Sequence, residues 1–269
     1  MSDLQATMMG RRFRFQIPSV ELSRLLVPVL MQADGPESRT DLPAVLTEVR
    51  LDRTLIAGAS DPAELSFEGD VVRVQSSTGF RSTIDLEAAT AELEMDGNHP
   101  ADAFRFHLRT LAALLALRMG GLLLHSSAIA RPDGAVVFLG ATGTGKSTLA
   151  SFSASAGAAI LSDDLNAILP AAAGYEVYGM PACALATPLA TSAGAFPLRC
   201  LYHLAQAPED RVEPLSPAER TAMLMVQSPF VNMYAQTTEA LLHNAARLAR
   251  MVPMGRLHFT ESMRFWSLI

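Results

Sequence analysis

Three features of the chain predict an α/β fold. Apolar runs of strand length recur between turn residues, and stretches with helical spacing of Leu, Val and Ala lie between them. Of the 269 residues, 49% are apolar and only 18% are charged, so the chain can bury a sizeable core. At this length it accommodates one large domain or two modest ones. The pattern changes near residue 100, which divides it into a small α/β module over 1–100 and a larger domain over 101–269.

In the first part, residues 12–17 alternate as a strand does, and residues 20–31 carry Leu and Val at helical spacing. Residues 33–43 are rich in Gly, Pro and Asp and read as an exposed loop. Strand-like pieces follow at 45–51, 64–67, 71–75 and 82–86, with turn signals at Asp61-Pro62 and Glu68-Gly69-Asp70. Residues 101–118 then form a convincing helix. Beyond it, 122–130 and 135–139 are continuously apolar strands joined by Arg131-Pro132-Asp133-Gly134, a hairpin turn by composition. A helix is predicted at 146–156, ended by Gly157, then a buried strand at 158–161. Wholly apolar strands suit the middle of a sheet covered by helices. Helices at 217–226 and 237–251 and a last strand at 257–259 complete the pattern.

Composition excludes several classes of function. The formal net charge of −6 argues against a non-specific nucleic-acid binder, which needs a basic surface. Cys183 and Cys200 fit neither a metal spacing nor a disulfide framework, and read as buried free thiols in a reducing compartment. Arg11-Arg12-Phe13 hints at a twin-arginine signal, but Glu21 and Arg24 interrupt the apolar region that such a signal requires. The apolar run 111–124 is shorter than the roughly 20 residues of a membrane span and contains Arg118. The expectation is a soluble, cytoplasmic protein with no membrane or nucleic-acid partner and an open oligomeric state.

The chemistry concentrates in one loop. Gly140-Ala141-Thr142-Gly143-Thr144-Gly145-Lys146-Ser147 fits the GxxxxGK[ST] pattern, and Thr148 follows it. A strand precedes the loop and a helix follows, as the pattern demands. Its glycines let successive N–H groups converge on one anion, and the helix starting at Lys146 adds its positive end. Lys146 is also the only lysine beside 20 arginines. Where charge alone matters arginine serves, whereas a compact ammonium fits between phosphates and a planar guanidinium does not. Lys146 is expected to neutralise the outer phosphates and the Ser147 hydroxyl to ligate Mg²⁺.

Asp163 and Asp164 follow the apolar run 158–161, where residues at the end of a strand face the ligand crevice in open α/β sheets. One carboxylate can hold Mg²⁺ and the other can accept a proton from an attacking hydroxyl. Adjacent acids cannot share one face of a regular strand, which suits a division of labour. Asp residues also serve as helix caps and turns. His125 sits in an apolar strand, where a histidine is commonly a satisfied core residue but can also orient an aspartate.

His125, the glycine-rich loop and the aspartate pair together resemble the catalytic domain of HPr kinase/phosphorylase. More closely, they resemble the shorter HPr-kinase-like proteins, some of which phosphorylate peptides. The resemblance covers residues 122–169. It implies a kinase fold related to phosphoenolpyruvate carboxykinase rather than to Ras or the classical ATPases, with ATP and Mg²⁺ as cofactors. It also implies that Lys146 binds phosphate, Ser147 and Asp164 serve the metal, and Asp163 is general base for a serine hydroxyl, supported by Asp164 and His125. HPr kinases carry a glutamate-containing segment after the aspartates, and residues 178–188 here contain no acid, which speaks against phosphorolysis and against HPr as substrate. Arg199 is a candidate phosphate clamp.

These expectations describe a kinase acting on a serine of a peptide or small protein, with the first hundred residues recognising the acceptor. A small-molecule kinase and a non-catalytic nucleotide sensor are the alternatives. The motif handles only the donor and so does not separate peptide from metabolite acceptors. Asp163 disfavours a pure sensor, which needs no base.

Overall fold

Alternation of buried and exposed side chains builds the first of two sheets. In β2 (Arg11–Ile17) the side chains of Phe13, Phe15 and Ile17 point inward while Arg12 and Arg14 face solvent. It pairs with β1 (Ser2–Met8) and β3 (Val45–Leu51), and the sheet continues through β4 (Glu64–Glu68), β5 (Val71–Ser76), β6 (Phe80–Asp85) and β7 (Thr90–Met95). The order is β1-β2-β3-β7-β6-β5-β4, antiparallel except for the parallel pairs β2–β3 and β3–β7. Two helices, α1 (Val20–Leu30) and α2 (Pro100–Arg118), pack together against it. Phe104 of α2 meets Phe15 edge-on at 5.1 Å. Each such buried ring contributes about 1.5–3 kcal/mol.

This computed structural model describes residues 1–30, 39, 41–55, 63–180, 194–260 and 262–269. It is mixed α/β, with two sheets and, among the described residues, five α-helices. The Asp61-Pro62 turn, Cys183, most of the loop predicted at 33–43 and residues 181–188 of the acid-free segment lie outside the described residues. Cys200 is a buried free thiol, and burial pushes its pKa up.

The second sheet has eight strands: β8 (Leu122–Arg131), β9 (Gly134–Leu139), β10 (Ala159–Ser162), β11 (Leu165–Ala171), β12 (Gly174–Gly179), β13 (Ala195–Gln206), β14 (Arg211–Pro214) and β15 (Met254–Phe259). Its apolar strands lie in a sheet covered by helices, as expected, but the sheet is mostly antiparallel. β8 and β9 form an antiparallel hairpin, and the parallel pairs are β13–β9 and β13–β15. The pairings run β8–β11–β12–β13–β9 and back to β8. β10 and β11 are one interrupted strand: Ala159 and Ile160 face Ala130 and Ile129 of β8, a bulge follows, and Leu165 faces His125.

Helix α3 (Lys146–Ser155) covers one face of this sheet with Leu149 and Ala150, beside Ile129, Phe138, Phe259 and Phe265. The other face packs on α2, α4 (Pro217–Val226) and α5 (Ala235–Met251), and its apolar cluster runs on into the core of the first sheet. The buried Asn244 of α5 joins these layers, its Nδ2 donating to Leu117 O at 2.8 Å and Gly121 O at 3.1 Å. The run 111–124 therefore divides into the end of α2 and the start of β8. No described helix is long and apolar enough to cross a membrane.

Candidate functional site

The glycine-rich loop leaves the end of β9 and enters α3. Gly140 has φ +154° and Gly145 has φ +97°, backbone conformations that side chains disfavour. Space is as limiting as conformation: a Cβ on Gly145 would lie 2.6 Å from the ring of Phe259. Gly145 is also the N-cap of α3 and provides no side-chain cap, so the helix begins on backbone N–H groups. Lys146 is 7% exposed, with Nζ donating to Gly140 O at 2.8 Å and Ala141 O at 3.0 Å. Burial pulls its pKa down, and the charge of Asp164 opposes that pull.

A cleft of about 350 Å³ opens at the loop, lined by Thr142, Gly143, Gly145, Lys146, Ser147 and Thr148 and also by His125, Asp163 and Gln206. Its volume falls within the range of small-molecule sites. The break between β10 and β11 explains how two neighbouring acids serve different surroundings. Asp163 lines the cleft. Asp164 is turned to other partners: Arg109 of α2 donates from Nη2 to its Oδ2 at 2.7 Å, and His125 Nδ1 lies 3.3 Å from its Oδ1. Its backbone O accepts from Ser126 N at 2.9 Å.

Beneath the acids, the buried Asn166 fixes the break. Its Nδ2 donates to Ser126 O at 2.8 Å and Ser126 Oγ at 3.0 Å. His125 is steadied from the other side, where its N donates to Gln227 O at 2.7 Å, at the C-terminal end of α4. The structure thus brings together the loop, His125 and Asp163, with Asp164 immediately behind them.

Arg199 does not join this group. It forms an ion pair with Asp133 in the β8–β9 hairpin, at the opposite end of β9 from the loop. The arginine at the site is Arg109, which sequence reasoning missed. A helix residue 55 positions before its partner leaves no local signal. Gln206 was also missed, at the end of a strand whose burial follows no simple alternation.

Chemically, the lining offers a helix N-terminus, an ammonium and the Ser147 hydroxyl together with a carboxylate and an imidazole. The helix start and the ammonium suit an anion such as phosphate. The oxygen donors Ser147 and Asp163 suit a hard cation. Among the described residues no group of three or more His, Cys, Asp and Glu could hold a metal by itself. Residues 108–269, more than half of the chain, match the family model described as SynChlorMet cassette protein ScmC. No curated protein matches the chain.

Proposed function

We propose that this chain, which belongs to the SynChlorMet cassette protein ScmC family, is a phosphotransferase that moves the γ-phosphate of Mg·ATP to a serine hydroxyl of a peptide or small protein. The observation that carries the reading is the shared cleft. An uncapped helix start, Lys146, Asp163 and His125 all line one cleft of about 350 Å³. The resemblance of residues 122–169 to HPr-kinase-like proteins supports the choice of kinase chemistry and of a phosphoenolpyruvate-carboxykinase-type domain.

The residues divide the work by position. The N–H groups at the start of α3 bind phosphate oxygens, and Lys146 exchanges its bonds to Gly140 and Ala141 for bonds to the outer phosphates. The Ser147 hydroxyl, which lines the cleft, would ligate Mg²⁺, and the bound ion would neutralise charge on the phosphates. Asp163 stands where it can take the proton of the acceptor hydroxyl. Asp164, expected from sequence to serve the metal, pairs with Arg109 and lies beside His125. Phosphoryl transfer has a loose transition state, so loss of Lys146 costs at least as much as loss of Asp163.

Calorimetry with Mg·ATP and Mg·GTP, on wild type and Lys146→Ala, tests the first half of the proposal. We expect heat that the substitution abolishes, and wild type without heat refutes the reading. Transfer from labelled ATP to cell-extract components tests the second half. Asp163→Asn should bind nucleotide within a few-fold of wild type and transfer nothing. Wild type that binds but never transfers is a nucleotide sensor instead.

A further inference from the structure

We infer that Arg109 is a positioning residue, which clamps Asp164 so that the carboxylate holds His125 by Nδ1 and leaves Nε2 for the cleft. The inference deepens the phosphotransferase reading by assigning the two adjacent acids different tasks.

The geometry is a chain of three side chains. Arg109 Nη2 reaches Asp164 Oδ2 at 2.7 Å, and the other oxygen of the same carboxylate lies 3.3 Å from His125 Nδ1. Asp164 and Arg109 are each about one-fifth exposed, so water screens the pair only partly. The His125–Asp164 contact is an approach within ion-pair range, and a carboxylate there favours the proton on the nitrogen that faces it. With Nδ1 committed in this way, a neutral His125 has its acceptor nitrogen, Nε2, for the cleft that the residue lines.

Arg109 is what makes this arrangement rigid. Without it, the carboxylate would keep a long contact to His125 and nothing on its other oxygen. The guanidinium comes from α2, whose buried face packs against both sheets, so its place does not depend on the loop or on a ligand. Arg109 does not line the cleft, and so it acts through Asp164. It also accounts for the split between neighbours: Arg109 draws Asp164 towards α2, while Asp163 lines the cleft.

The test reads the His125 ring directly, by the ring-nitrogen chemical shifts of nucleotide-free protein labelled with ¹⁵N-histidine, at a pH where those shifts show the neutral ring. Wild type is expected to show one tautomer, with Nδ1 protonated. Arg109→Met should give a mixture, and Arg109→Lys, which keeps a cation, should restore the single tautomer in part. Removing one partner of an ion pair can unfold a protein, so the double variant Arg109→Met, Asp164→Leu serves as the folded control without a stranded charge. It too should lose the tautomer preference. ATP turnover with water as acceptor should fall by about 10-fold or more in Arg109→Met, the scale on which supporting partners of a functional histidine act, and recover partly in Arg109→Lys. A single Nδ1-protonated tautomer and unchanged turnover in Arg109→Met overturn the inference, as does a wild type whose Nδ1 carries no proton. The tautomer needs no nucleotide, so a wild type with the expected ring but no Mg·ATP heat sinks the phosphotransferase reading and leaves the clamp standing.

Discussion

Replacing His107 by Gln asks whether a histidine far from the site sets the acid limit of the fold. His107 projects from α2 into the first sheet and is 1% exposed. Its Nδ1 lies 2.8 Å from Ser82 Oγ of β6 and its Nε2 3.4 Å from Thr47 Oγ1 of β3. Both partners are neutral hydroxyls, so nothing there rewards a charged ring, and burial lowers the pKa from 6.5 to about 4. The folded state binds this proton more weakly than the unfolded state does. Stability from the neutral ring is therefore complete above about pH 6.5 and is lost as pH falls towards 4. Linkage puts the total near 3 kcal/mol, with about 2 kcal/mol of it lost between pH 7 and pH 5. Urea unfolding of wild type and His107→Gln at both pH values isolates this contribution, because other titrating groups are common to the two proteins. We expect the stability gap between them to shrink by about 2 kcal/mol on acidification. A gap that does not change with pH would mean that the folded protein accommodates an imidazolium at this position, and would refute the desolvation argument.

Two further substitutions test the geometry around the site. Gly145→Ala combines a left-handed backbone, about 1–2 kcal/mol, with a Cβ driven into Phe259, about 1–3 kcal/mol more, so both the denaturation midpoint and Mg·ATP affinity should fall. A variant as stable as wild type would mean that the Phe259 ring moves aside at no cost. Asn244→Ala should lose about 1–3 kcal/mol, chiefly by removing the donor to Gly121 O, since Leu117 O still accepts from Gly120 N, and Asn244→Asp should lose more, since a carboxylate there faces two carbonyls. Equal stabilities for the two variants in urea melts would show that water takes over the two carbonyls.

Legibility followed the range of the interaction that determines each feature. The hairpin at 131–134, the glycine-rich loop and the α4 helix were readable because their signals are local: turn residues, required φ values, and Ser216 with Glu219 forming a capping box. β1 and β7 were missed because Gln, Ala, Met, Leu and Glu favour helices, and sheet pairing overrides them. β11 was missed for another reason. Its residues 165–169 are all buried, which removes the alternation that marks a strand, and the Asp163-Asp164 break before it hides that it continues β10. The composition of the candidate site was readable, but the division between the acids was not. It depends on Arg109, which the fold brings from α2.

Helix α2 also bears on how the protein can be dissected. The region shared with the ScmC family begins at residue 108, in the middle of this helix. A fragment cut there would start without the first two turns of α2, losing Phe104 and His107. It would bare the apolar residues that had met the first sheet and leave Arg109 on a fraying end. Residue 108 marks where sequence likeness starts, and a self-sufficient folding unit has to begin elsewhere.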